Sequence, residues 1–175
     1  MKIQAYIEQS KKWIEQFVIA LNLCPFAGVP FRKDQIRYVV EEAETEELLL
    51  KSVLSELAYL YGVPAFETET TLIIYSNALK DFLDYNDFVG VAESLLEEAN
   101  LNGVIQIASF HPNYQFAGVP VDDPANYTNR SPYPMLHLLR ESSITNAVDT
   151  YPEVDAIPER NMQLLRHRGK RKLRH

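Results

Sequence analysis

Cysteine is nearly absent from this 175-residue chain, with Cys24 as the single example. That excludes an intramolecular disulfide and any all-cysteine metal site, and it leaves Cys24 as a nucleophile, a lone metal ligand or a small core residue. Apolar runs long enough to span a membrane are also missing. The start, Met1-Lys2-Ile3-Gln4, leads into an amphipathic pattern and not into an uninterrupted apolar signal region. A cytoplasmic protein with no membrane partner is the expectation. No Walker loop, Gly-x-Gly-x-x-Gly or Gly-x-Ser-x-Gly occurs, which weighs against standard nucleotide, dinucleotide and hydrolase folds.

Acids are lacking only at the C-terminus. Residues 166–175 contribute +6, so the formal charge of −7 leaves −13 for residues 1–165. An acidic body lacks the clustered cations that phosphate backbones require, and nucleic-acid binding is not expected. A basic run of this kind is usually a solvated end. The organisation predicted is one globular domain over 1–165 with a flexible basic tail over 166–175.

The apolar spacing predicts a helix over 4–22, with Trp13, Ile14, Phe17, Val18 and Leu21 inward, ending before Pro25. It predicts strands over 36–41, 70–75 and 104–110, the last entered through the turn Asn102-Gly103. Helices are predicted over 46–61, with Thr45 as cap, and over 86–99, with Phe88, Val91, Leu95 and Leu96 inward. After a loop of about twenty residues, Ser131 would cap a short helix opened by Pro132, and a last helix would run from Pro158 to His167, stopped by Gly169. This order gives an α+β fold: a sheet of three to four strands with helices packed on it, a ferredoxin-like two-layer sandwich fitting best. The fourth strand would lie in 63–68 or 115–121. Phe-Ala-Gly-Val-Pro occurs at both 26–30 and 116–120; the flanks share no repeat period, so shared turn chemistry explains it better than duplication.

Chemistry concentrates between Ser109 and Glu141. His111 follows the third strand directly, a favoured site position, although a histidine there can also simply lock the loop. His137, Arg140 and Glu141 would share a helical face. Asn129, Arg130 and Ser131 precede a predicted helix start, where free N–H groups, a guanidinium and a hydroxyl suit an anion; capping with a structural arginine is the alternative. Cys24 becomes a nucleophile only beside a histidine. Cys24, His111, Asp122, Asp123 and His137 are the candidate metal ligands, but none sits at the spacing of a known short motif, and no metal is expected.

The phrases Leu21–Ala27, Ser109–Pro112, Thr128–Pro134 with His137 and Arg140-Glu141, and Ile157-Pro158-Glu159-Arg160-Asn161 together resemble a bacterial family, the domain of unknown function 1415. The resemblance covers Ile3 to about Leu165, leaves the basic tail outside, and implies a single-domain soluble protein; it carries no activity and names no cofactor. The residues point to an enzyme (a hydrolase or group transferase) or a binding protein for a small anionic metabolite. Arg130 and Arg140, with Asn129 and Ser131, would hold the anion, while His111, His137 and Cys24 would carry the chemistry. A module for protein interaction, in which these residues brace a long loop, is the alternative from another class. A single-metal site using Cys24 and the histidines is a third.

Overall fold

A computed structural model describes residues 2–150 and 154–169. Helix α1 (Lys2–Trp13) continues as a π-helical segment, Ile14–Ile19, in which Ala20 N donates to Glu15 O and Leu23 N to Val18 O. The helical run ends at Ile19, three residues short of the predicted end at Asn22. Asn22 adopts φ 51°, a conformation asparagine tolerates better than most side chains. A short helix follows, α2 (Gly28–Arg32). The order is then β1 (Ile36–Glu41), α3 (Glu46–Gly62), β2 (Thr70–Tyr75), α4 (Phe82–Glu98), β3 (Ile105–Phe110), a 3-10 turn (Pro124–Thr128), β4 (Met135–Arg140), α5 (Glu141–Thr150), a second 3-10 turn (Val154–Ala156) and α6 (Ile157–Arg168).

The α+β class and the four-stranded sheet agree with the sequence, but the ferredoxin-like two-layer arrangement does not. The sheet order is β1-β2-β4-β3. β1 and β2 are parallel, in register Ile36 with Thr70, and β4 runs antiparallel to both β2 and β3. Successive residues of a strand face opposite sides, and both sides are covered. Ile73, Tyr75, Leu136, Leu138 and Ile105 pack under Leu49, Val53, Leu57 and Leu60 of α3 and under Phe88, Ala92 and Leu96 of α4. Leu72, Ile74 and Met135 meet Trp13, Ile14, Phe17 and Leu165. The result is three layers. A two-layer reading assumes one wet face, whereas β2 is buried at every position.

Several boundaries move for identifiable reasons. α4 begins four residues earlier than its apolar stripe, because the Asp81 carboxylate accepts from Leu83 N and Asp84 N. Val91 turns outward, 39% exposed, since the buried stripe runs through Tyr85, Phe88, Val89, Ala92 and Leu96. Thr45 occupies the cap position of α3, but its hydroxyl makes no capping bond. The fourth strand is Met135–Arg140, not 63–68 or 115–121, and it replaces the short helix predicted after Pro132. α6 reaches Arg168, so the first three residues of the expected tail are helical; residues 170–175 lie outside the described residues. Among the described residues no helix is long and apolar enough to cross a membrane.

Candidate functional site

The two faces of the sheet separate the predicted site residues into two groups. Cys24, His137 and Arg140 line one cavity of about 620 Å³, within the size range of small-molecule sites. Its floor is the α1 side of the sheet, with Ile36, Thr70, Leu72, His137, Leu139 and Phe110. Its walls come from Trp13, Ile14 and Val18, from the turn Cys24–Ala27 with Val29 and Pro30, from Ala65 and Phe66, and from Ser143 and Ile144 at the start of α5. Most of this lining is apolar. Lys33 and Glu69 add one charge of each sign.

Within the cavity the polar groups are individually placed. Thr70 Oγ1 donates to Leu138 O at 2.6 Å and lies 2.5 Å from His137 Nε2. A hydroxyl has one proton, so the second contact needs an imidazole N–H as donor. His137 therefore carries its proton on Nε2, and Nδ1 keeps a lone pair. Burial alone lowers its pKa from 6.5 to about 4, which makes it neutral near pH 7. Arg140, at the last position of β4, donates through Nη2 to Val63 O (2.6 Å) and Thr68 O (3.0 Å). Neither Arg140 nor Lys33 forms an ion pair with any described residue. Burial raises the pKa of the Cys24 thiol, and the backbone N–H groups of Phe26 and Ala27 offset this in part. At neutral pH the cavity thus holds a thiol, a neutral imidazole and an unneutralised guanidinium.

The remaining candidates lie elsewhere and are occupied. His111 is fully buried on the α4 side, its ring 4.9 Å from that of Tyr85 and 5.4 Å from that of Phe82. Nε2 faces Leu79 O at 3.0 Å, and Nδ1 accepts from Asn113 N at 3.0 Å. Both nitrogens are spent on backbone, which is the loop-locking role. Asn129 Nδ2 donates to Ser109 O (3.1 Å), and Ser131 Oγ donates to Tyr133 O (2.5 Å). Arg130 donates to Tyr114 O (3.1 Å) and Val121 O (2.8 Å), and its guanidinium lies 4.7 Å from the Tyr127 ring centroid. These residues clamp the loop between β3 and β4. No helix N-terminus stands at Pro132 to offer free N–H groups, so the geometry assumed for an anion site at 129–131 is missing. Likewise His137, Arg140 and Glu141 do not share a helical face, because the first two are in a strand and Glu141 begins α5.

Among the described residues no three His, Cys, Asp or Glu side chains gather as a metal site would require. Cys24 and His137 share the cavity, but Asp123 caps the first 3-10 turn and pairs with Arg166 at 3.0 Å. Thr70, Trp13 and Phe110 belong to the cavity and were not singled out by the sequence. The adjacency of two polar residues on neighbouring strands, Thr70 and His137, leaves no trace in local spacing.

A model of the family described as Protein of unknown function (DUF1415) matches residues 5–175. The chain belongs to the DUF1415 family. The match includes the basic C-terminal segment, which the motif resemblance had left outside. No curated protein and no solved structure matches the chain. Two of the motifs that carried the resemblance to DUF1415 turn out to meet in space. Asn161, buried at the start of α6, donates to Leu23 O at 2.7 Å, and Arg160 donates to Asn22 O. The Ile-Pro-Glu-Arg-Asn motif therefore pins the turn that places Cys24 in the cavity wall. In the DUF1415 chain the proline-rich loop and the cavity are separate constructions, one braced and one open.

Proposed function

We propose that this protein binds a small molecule with an apolar body and an anionic end in the cavity between β1, β2 and β4 on one side and α1 and α2 on the other. One observation carries the reading: Arg140 borders an otherwise largely apolar cavity, its charge held by carbonyl dipoles and, among the described residues, by no carboxylate. A guanidinium so placed is oriented by its carbonyl partners, and of its five N–H donors those beyond these bonds remain for a carboxylate or phosphate. Lys33 at the rim adds attraction, and Glu69 limits it. Anion recognition thus rests on Arg140, which lines the cavity although two of its nitrogens donate to backbone carbonyls, and not on Arg130, which does not line it.

Binding is better supported than turnover. A nucleophilic Cys–His pair needs a thiolate and an imidazole that accepts its proton near neutrality. The burial that raises the Cys24 thiol and lowers His137 opposes both. The hydrolase or transferase reading accordingly ranks second. A cytoplasmic site of action belongs to the same proposal on the sequence grounds given above. The test is calorimetry with medium-chain and aromatic carboxylates against their primary amides. The acids bind and the amides bind at least tenfold more weakly; Arg140→Gln removes the difference. Equal binding of acids and amides, or binding of neither, refutes the reading.

A further inference from the structure

The anion would occupy one end of the cavity, but a second unmet polar feature lies on its floor. Nε2 of His137 is committed to Thr70, because the single Thr70 hydroxyl proton goes to Leu138 O. Nδ1 then presents a lone pair that meets no donor among the described residues. The neighbouring wall contains the complementary defect. Trp13 is 6% exposed and lines the cavity, yet its indole N–H has no acceptor. Both rings border the same phenyl group: the Trp13 and His137 centroids lie 5.5 Å and 6.3 Å from that of Phe110. An orphaned buried donor costs about 1–3 kcal/mol, so native proteins seldom leave one without reason. A hydroxyl group offers both complements, since its oxygen donates one hydrogen bond and accepts others.

We propose that the ligand is a hydroxylated acid, its hydroxyl read by Nδ1 of His137 with the Trp13 N–H as the second partner, and its carboxylate or phosphate held by Arg140. His137 and Arg140 are three residues apart on β4, which separates their Cα atoms by about 10 Å. The hydroxyl therefore stands at the far end of the apolar body from the acid, as in an ω-hydroxy aliphatic acid or a para-hydroxyphenyl acid. Thr70 is the positioning residue, since its hydroxyl fixes which imidazole nitrogen is bare. This assignment rests on the binding reading above and specifies the substrate class of that site.

Calorimetry with matched probes tests it: ω-hydroxyoctanoate against octanoate, and para-hydroxyphenylpropanoate against phenylpropanoate. The hydroxylated member of at least one pair binds five- to tenfold more tightly, the worth of one buried hydrogen bond of about 1–1.4 kcal/mol. His137→Phe abolishes that preference, read as the ratio of affinities within each pair and not as the absolute affinity of either member. Nitrogen-15 shifts of the His137 ring in the wild-type protein provide a readout that does not depend on a variant folding: Nδ1 is unprotonated, and its resonance moves only with the hydroxylated probe. Binding of the plain acids without preference for either hydroxylated partner overturns the hydroxyl assignment and leaves the anion site standing. Binding of no acid overturns both. A protonated Nδ1 at pH 7 overturns the assignment whatever the affinities are.

Discussion

His137→Gln is a sharp perturbation, because glutamine keeps an N–H for Thr70 Oγ1 but cannot titrate. In the folded protein burial lowers the His137 pKa from 6.5 to about 4. Between these values the unfolded chain binds a proton that the folded one refuses. Stability therefore rises with pH across this window and is complete above 6.5. At about 1.4 kcal/mol for each tenfold change in proton affinity, the linkage is worth about 3 kcal/mol, less whatever water in the cavity returns. The assay is urea denaturation of wild type and variant at intervals from pH 7.5 to 4. The wild type loses about 2–3 kcal/mol relative to the variant as pH falls through the window. His111, also lowered mainly by burial, and the acids are common to both proteins and largely cancel. Parallel stability curves, or a His137 resonance titrating near 6.5, refute the burial of this imidazole.

Arg130→Ala removes two carbonyl contacts and a ring contact from the β3–β4 loop; it lowers stability by about 2–3 kcal/mol in chemical denaturation and leaves acid binding in the cavity unchanged. Cys24 reacts slowly with iodoacetamide at pH 7, and its rate climbs with pH beyond that of a free thiol's ordinary range, because burial raises its pKa; an early plateau below pH 8 would contradict this.

Much of the architecture was legible from spacing. The stripes of α1 and α3, the strand cores at 36–41, 70–75 and 104–110, and the stop at Gly169, with φ 68°, all follow from local rules. The largest error was Met135–Arg140. Met-Leu-His-Leu-Leu-Arg is buried on both faces of a central strand, and such a run lacks the alternation that distinguishes strand from helix. From that error came the expected anion site at Asn129–Ser131 and the shared face of His137, Arg140 and Glu141. The candidate site was legible in half of these six members: Cys24, His137 and Arg140 stood out as polar candidates, whereas Thr70, Trp13 and Phe110 looked like ordinary core.

The repeated pentapeptide separates what sequence determines from what tertiary structure decides. Phe-Ala-Gly-Val-Pro at 26–30 enters the helix Gly28–Arg32 and lines the cavity. At 116–120 the same residues make a turn, with Val119 N on Phe116 O and Gly118 at φ 73°. Five residues set a menu of backbone states, and the surrounding contacts choose among them. The same holds for function. Sequence alone determined the polar residue types available and the helices and strands with strong periodicity, because both depend on neighbours in the chain. Only the folded sheet decided that His111 and Arg130 would brace a loop, while His137 and Arg140, each also hydrogen-bonded to the protein, would line a cavity. That choice depends on Thr70, Leu79, Val63 and Tyr114, which are distant in sequence from the side chains they engage.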